Sequence, residues 1–113
     1  MCDQRSLEQI TKKVVLAARD CLGEKLDKVV LYGSYARGDY NSESDIDILV
    51  LADIPIEDRW KTRMQISKLT YDLDLEHDVL VSLHVVDRTT FYQYADDLPF
   101  YINVLKDGVE LSA

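Results

Sequence analysis

The sequence predicts an α/β protein in which a small mixed β-sheet is flanked by helices. Residues 28–32 and 45–52 contain the apolar runs that are typical of buried strands. Residues 10–22 instead carry apolar side chains at helical spacing, and residues 78–86 are rich in β-branched side chains with a loose alternation. Helical and strand segments therefore alternate along a chain of 113 residues, which is long enough for one core. We expect residues 1–113 to form a single domain.

The first half of the chain gives a helix, a strand, a turn and a second strand. Ser6 followed by Gln9 is typical of a capping box at a helix start, and Gly23 is placed to end that helix. The strand over residues 28–32 ends at the Gly33-Ser34 pair. We expect one helical turn over residues 35–38, a polar loop over 39–44 and a second strand over 45–52.

The second half gives one long helix, a third strand and two short helices. Pro55 suits the first turn of an amphipathic helix. The apolar side chains assigned to that helix are Trp60, Met64, Ile66, Leu69 and Leu73. A third strand follows over residues 78–86. Beyond it lie two short helices, of which Pro99 begins the second and Gly108 ends it, and residues 109–111 are predicted to form a short strand.

Charge and composition exclude several classes of function. The formal net charge of −8 argues against broad binding to nucleic acid, which needs a basic surface, but it permits one bound nucleotide. No apolar run is longer than the one over residues 48–52, which is far too short for a membrane span, and the N-terminal residues do not resemble a signal peptide. Cys2 and Cys21 lack the spacing and histidine neighbours of a zinc site. We therefore expect a cytoplasmic protein with reduced cysteines.

The most informative segment is residues 33–50, which contains two aspartates at the start of an apolar strand. Asp45 and Asp47 are two residues apart, so their side chains would project from the same face of a strand. Two carboxylates this close repel each other unless a cation lies between them. Mg²⁺ prefers oxygen ligands and commonly takes one or two carboxylates together with substrate phosphates. The pair therefore predicts a divalent metal site.

The turn that precedes the acid pair is suited to phosphate. Gly33 and Ser34 follow a strand, and a glycine turn that opens a helix presents N–H groups to an anion. Arg37 could neutralise a triphosphate or its leaving pyrophosphate. A metal beside a phosphate-binding turn indicates chemistry on a nucleoside triphosphate, in which two ions can stabilise the attacking and leaving oxygens. A third carboxylate from a neighbouring strand would complete such a site.

Each of these features alone is common in turns, strands and surfaces, and their joint order carries the interpretation. The segment is not a P-loop, because Gly38 is followed by Asp39 and not by Lys-Ser/Thr. It lacks the third glycine of a dinucleotide-binding fingerprint. An EF-hand is excluded because Val50 and Ile56 occupy its glycine and glutamate positions.

The order G-S, ten residues, D-x-D resembles the signature of the minimal nucleotidyltransferases, small members of the DNA polymerase β-like nucleotidyltransferase superfamily. The resemblance implies a nucleotidyltransferase fold, with Gly33 and Ser34 as the phosphate-binding pair and Asp45 and Asp47 as ligands of two Mg²⁺ ions. The third acid of the family stands at the start of a later strand. Asp78 fits best there, where it would hold the catalytic metal with Asp45 and Asp47 and draw the proton from the incoming hydroxyl. Glu76, two residues earlier on the same predicted strand face, comes next.

The remaining polar and aromatic candidates are interpreted more plainly. Alternation points His77 to the other face of the predicted strand, and His84 lies six residues beyond Asp78, so we take both as non-catalytic. Packing is a better explanation than base stacking for the three tyrosines near the C-terminus. These are Tyr92, Tyr94 and Tyr101.

The resemblance implies an enzyme that transfers AMP from ATP to a hydroxyl on a partner protein. Minimal members of the family often pair with a HEPN-domain protein in toxin–antitoxin modules, where they act as the antitoxin. Two other functions remain open. One is a module that binds nucleotide or neutralises a partner without catalysis. The other is a transferase for a small molecule such as an aminoglycoside, with an acceptor groove completed by a homo-oligomer or a companion chain.

Overall fold

The computed structural model describes residues 4–41, 44–77 and 79–111. They form a four-stranded mixed sheet with helices on both faces, so the predicted fold class is confirmed. In chain order, the helices are α1 (Gln4–Leu22), α2 (Ser34–Arg37), α3 (Arg59–Thr70), α4 (Asp72–His77), α5 (Arg88–Gln93) and α6 (Pro99–Asp107). The strands are β1 (Leu26–Tyr32), β2 (Ile46–Ala52), β3 (Val81–Asp87) and β4 (Val109–Leu111). Short 3₁₀ turns occupy Gly23–Lys25 and Ile56–Asp58.

The sheet has the order β3-β2-β1-β4, which places β2 near its centre. β1 and β2 are antiparallel, with Tyr32 opposite Asp47, whereas β2 and β3 are parallel, with Asp47 opposite Ser82. β4 adds to the outer edge of β1 in an antiparallel sense. Because antiparallel neighbours bring the end of one strand beside the start of the next, the Gly33 turn and the aspartates meet at the same edge of the sheet.

Both faces of β2 are buried, as its apolar run predicts. One face, with Ile46, Ile48 and Val50, packs in a core cluster to which α1 and α3 contribute. The opposite face, with Leu49 and Leu51, packs in a second cluster that includes side chains of α5 and α6. Asp47 is two residues before Leu49 along β2, so its side chain lies on the same face as Leu49 and Leu51. This is the face that α5 and α6 cover.

Several predicted elements differ from the observed ones. Helix α1 already includes Gln4, so Ser6 lies inside the helix and is not its N-cap. The long helix predicted after Pro55 is a 3₁₀ turn followed by two helices, with Tyr71 between them. Of its predicted apolar face, Ile66 and Leu73 are buried, whereas the other three side chains are exposed. Those exposed side chains are Trp60, Met64 and Leu69.

The third strand begins later than predicted. Residues 72–77 form α4, in which Leu73 is buried against the first core cluster, and β3 starts at Val81. Leu73 lies on a helix, as predicted, whereas Val79 and Leu80, which the prediction assigned to the strand, precede β3. The short helices at Pro99 and before it, and the terminal strand β4, are found as predicted. Among the described residues no helix is both long and apolar enough to cross a membrane.

Candidate active site

The acid pair lies at the start of β2. Asp45 immediately precedes the strand and is exposed, whereas Asp47 is the second residue of the strand and is half-buried. Burial raises the pKa of Asp47, and the charge of Asp45 raises it further; His84 and Arg37 oppose the rise. Two carboxylates that destabilise each other's charge are an arrangement that a bound cation relieves.

Gly33 packs directly against Asp47. Its backbone, with φ of 76° and ψ of −157°, is in a region that only glycine adopts readily. A Cβ built on Gly33 would collide with Oδ2 of Asp47. Glycine is therefore required here twice, once by the backbone conformation and once by the close approach to the carboxylate.

The short helix α2 turns the chain sharply above this contact. Its first residue is Ser34, whose amide has no intrahelical acceptor. At its other end Gly38 adopts the left-handed conformation, with φ of 84°, and its amide donates to the Ser34 carbonyl at 2.9 Å. Tyr35 is buried and stacks on Tyr40 with ring centroids 4.2 Å apart. This stacking ties the phosphate-suited turn to the loop that leads to the aspartates.

Arg37 lies at the exposed mouth of the site. Its Nε donates to Oδ2 of Asp39 at 3.2 Å, and both side chains are about half exposed, at 44% and 61%. Its positive charge lowers the pKa of Asp47, which places it within electrostatic reach of the acid pair. An exposed ion pair of this kind contributes little to stability, so the guanidinium can exchange Asp39 for a stronger anion at little cost.

The predicted third acid is not confirmed. Glu76 lies on helix α4 and is exposed, so its assignment to the face of a strand was wrong. Asp78 lies outside the described residues. Within β3, Ser82 is the residue opposite Asp47, and the strand's one carboxylate, Asp87, lies at the far end. The described residues contain no group of three acidic, histidine or cysteine side chains that could hold a metal.

The profile of the nucleotidyltransferase domain family matches residues 13–110 of the chain. The chain belongs to the nucleotidyltransferases. It is 38% identical over 81 residues to a Methanocaldococcus jannaschii protein named "Putative protein adenylyltransferase MJ0141", a stretch that covers 71% of this chain and 79% of the relative.

Two solved structures are similar in fold to this nucleotidyltransferase. One, described as a toxin-antitoxin with AMP-PNP, gives a TM-score of 0.55 at 24% identity and covers 91% of this chain and 73% of that one. The other, titled "Structure of putative minimal nucleotidyltransferase", gives a TM-score of 0.57 at 20% identity and covers 96% of both chains. At these sequence identities, the similarity to the two structures shows the fold alone.

The sequence interpretation missed an aromatic cluster beside the acid pair of this nucleotidyltransferase. Tyr32 lies opposite Asp47, His84 lies opposite Leu49, and Phe100 of α6 contacts both rings. Alternation along β3 could have placed His84 on the face of Asp47, but Phe100 comes from a distant helix and carries no local signal. Of the C-terminal tyrosines, Tyr101 is buried against Phe91, as the packing interpretation predicted, whereas the other two are exposed.

Proposed function

We propose that this nucleotidyltransferase moves AMP from ATP to a hydroxyl on a partner protein, using Asp45 and Asp47 as ligands of divalent cations. The observation that carries the proposal is the contact between Gly33 and Asp47. It joins a turn suited to phosphate to a carboxylate pair suited to metal, and a metal-bound triphosphate needs both within one nucleotide's length.

The donor set fits Mg²⁺. Both candidate ligands are carboxylates, and burial and mutual repulsion raise the pKa of Asp47, which a cation would reverse. Bound at Asp45 and Asp47, Mg²⁺ would supply charge stabilisation to the attacking and leaving oxygens of the displacement. The chain itself contributes the two carboxylates, that of Asp47 on β2 and that of Asp45 immediately before the strand.

Ser34 and Arg37 would hold the triphosphate. The Ser34 hydroxyl and amide can donate to the β- and γ-phosphates, and Arg37 can neutralise the pyrophosphate as it leaves. In the transfer, an acceptor oxygen bonds to the α-phosphorus while the bond to the bridging oxygen of pyrophosphate breaks. The acceptor's proton passes to a base, for which we propose Asp78.

We further propose that the partner is a HEPN-domain toxin and that transfer to it is the antitoxin activity. The similar solved structure described as a toxin-antitoxin with AMP-PNP supports this proposal at the level of fold. A non-catalytic module that binds nucleotide or partner is the second candidate. It is favoured by one observation, namely that β3 presents Ser82 and not a carboxylate opposite Asp47.

The test is transfer of label from α-³²P-ATP to a purified HEPN-domain protein. We expect Mg²⁺-dependent labelling by the wild type, loss of labelling with Asp45→Asn, and normal labelling with Asp53→Asn. Asp53 is the matched control because it lies just beyond the opposite end of β2 and is 65% exposed. Neutralisation of the toxin without any labelling would establish the non-catalytic module instead.

A further inference from the structure

Three aromatic rings form a cluster on the sheet face that carries Asp47. Tyr32 comes from β1, His84 from β3 and Phe100 from the first turn of α6. The Phe100 ring centroid is 5.4 Å from that of Tyr32 and 5.7 Å from that of His84, while the Tyr32 and His84 centroids are 6.3 Å apart. The Phe100 ring therefore packs across β2, against Tyr32 of β1 on one side and His84 of β3 on the other.

The cluster borders the acid pair. Tyr32 is the cross-strand neighbour of Asp47, and His84 is the neighbour of Leu49, the next residue of β2 on the same face. The imidazole of His84 also lowers the pKa of the Asp47 carboxyl group, so it lies within electrostatic reach of that group. The cluster therefore lies beside Asp47 on the same face of the sheet.

The positions of Gly33 and of the aromatic cluster indicate the direction in which a bound nucleotide would extend. Gly33 and Ser34 follow the end of β1, beyond the level of Asp47. His84 lies in the other direction, opposite Leu49, which is two residues after Asp47 along β2, and Phe100 packs on His84. A nucleotide with its β- and γ-phosphates at Gly33 and its α-phosphate at the acid pair would extend its nucleoside toward His84 and Phe100.

The exposure of the rings is consistent with a ligand. Phe100 is 38% exposed and His84 is exposed, whereas the neighbouring aromatic Phe91 of the same face is only 1% exposed. Exposure of an apolar ring face to water is unfavourable, whereas stacking of that face on a planar ring is favourable. Tyr32 is half-buried, and its ring packs against both of the others.

We propose that Phe100 and His84 form a stacking subsite for the nucleobase of the bound nucleoside triphosphate, a proposal that rests on the function proposed above. Phe100 supplies the principal face and His84 the edge toward β3. Stacking of this kind tolerates different bases, so the subsite adds affinity for a nucleoside without reading its hydrogen-bonding edge.

The test compares binding of ATP and inorganic tripolyphosphate by isothermal titration, each with Mg²⁺. Tripolyphosphate reports on the phosphate and metal site alone. We expect Phe100→Leu to weaken ATP binding by about fivefold or more and to leave tripolyphosphate binding unchanged, because leucine keeps apolar packing but removes the ring face. Phe100→Ala should act in the same way. The control is Trp60→Leu, which removes a ring that is 65% exposed on α3, a helix packed on the other face.

The outcomes separate the two proposals. If the wild type and Phe100→Leu each bind both ATP and tripolyphosphate, and bind ATP with equal affinity, the nucleobase subsite is overturned and the proposed function stands. A raised KM for the partner protein at unchanged ATP affinity also overturns it, since the rings would then contact the acceptor. Failure of the wild type to bind either ligand overturns both proposals. Thermal melting of each variant checks folding, and Phe100→Leu decides the question if Phe100→Ala does not fold.

Discussion

Gly33 and Asp47 touch across two antiparallel strands, so that a single added carbon on Gly33 would strike the carboxylate of Asp47. The turn and the acid pair are consequently one unit. A change at Gly33 should act on metal binding although glycine has no side chain to bind a metal.

Gly33→Ala should therefore reduce Mg²⁺-dependent ATP binding by about tenfold or more and lower the free energy of unfolding by roughly 1–3 kcal/mol, from backbone strain and the clash together. Gly23→Ala is the matched control, because Gly23 also has a positive φ, of 55°, but has nothing within 4 Å of an added Cβ. It should cost stability and leave ATP binding intact. The two variants are compared by isothermal titration and urea unfolding; equal ATP affinities would show that the contact is irrelevant to binding.

Asp47→Asn should stabilise the protein in the absence of metal and nucleotide. The pKa of Asp47 is raised in the folded state, so ionisation of this carboxyl group at neutral pH opposes folding. The stabilising contribution of the protonated carboxyl group is fully present below its unfolded pKa and is lost as the pH rises through its folded pKa. The neutral amide removes that cost. We expect a higher Tm at pH 7 without Mg²⁺, together with loss of the further rise in Tm that Mg²⁺ and ATP give the wild type. A lower Tm in the metal-free variant would contradict the electrostatic argument.

Ser34→Ala should weaken ATP binding modestly and Arg37→Ala more strongly. A neutral hydrogen bond contributes roughly 0.5–1.5 kcal/mol and one to a charged group roughly 1.5–3 kcal/mol. Arg88→Ala is the control for Arg37→Ala, because Arg88 is also an exposed arginine in an ion pair, with Asp53 at 3.6 Å, but lies far from the acid pair. Titration of all three variants with Mg²⁺ and ATP gives the dissociation constants. If the two arginine variants behave alike, Arg37 is a surface cation only.

The pH dependence of stability should contain a contribution from Asp87. Burial would raise the pKa of this carboxyl, but hydrogen bonds from Thr90 at 3.0 Å and Arg59 at 2.6 Å outweigh burial and lower it. A lowered folded pKa gives stability that is present above the unfolded value, near 3.8, and is lost as the pH falls through the folded value. Asp87→Asn should be less stable than the wild type by about 1–3 kcal/mol at pH 7.

The difference between these two proteins should shrink below pH 4 in urea unfolding measured at a series of pH values. Asp53→Asn, which changes a largely exposed carboxylate, should give no such trend. A difference between the wild type and Asp87→Asn that stays constant down to pH 2.5 would mean that the lost contacts, not the charge, account for it.

Asp78→Asn should leave nucleotide binding intact and stop transfer, because its proposed role concerns the acceptor hydroxyl and not triphosphate capture. Glu76→Gln should transfer normally, since Glu76 is exposed on α4. Label from α-³²P-ATP on the partner protein is the measurement. Full activity in both variants would mean that two aspartates suffice.

The sequence predicted the parts of the site that depend on local pattern. The apolar runs ending at Tyr32 and following Asp47 fix two strands, and the glycine turn and alternating aspartates can be recognised from their immediate neighbours. The start of β3 could not be predicted in this way, because Val79 and Leu80 are apolar and fit a strand by pattern, although β3 begins only at Val81. Phe100 could not be predicted either, since its place beside Tyr32 depends on how α6 packs on the sheet.

The antiparallel register between β1 and β2 has a consequence for the signature itself. Tyr32 opposes Asp47 through strand pairing, whereas the described residues between Gly38 and Asp45 lie outside the paired strands. The chemistry thus depends on pairing across the sheet, while the number of residues between serine and aspartate records the length of one surface loop. Relatives with longer or shorter loops can keep the same arrangement of glycine and carboxylates, and a search that allows the spacing to vary should find them.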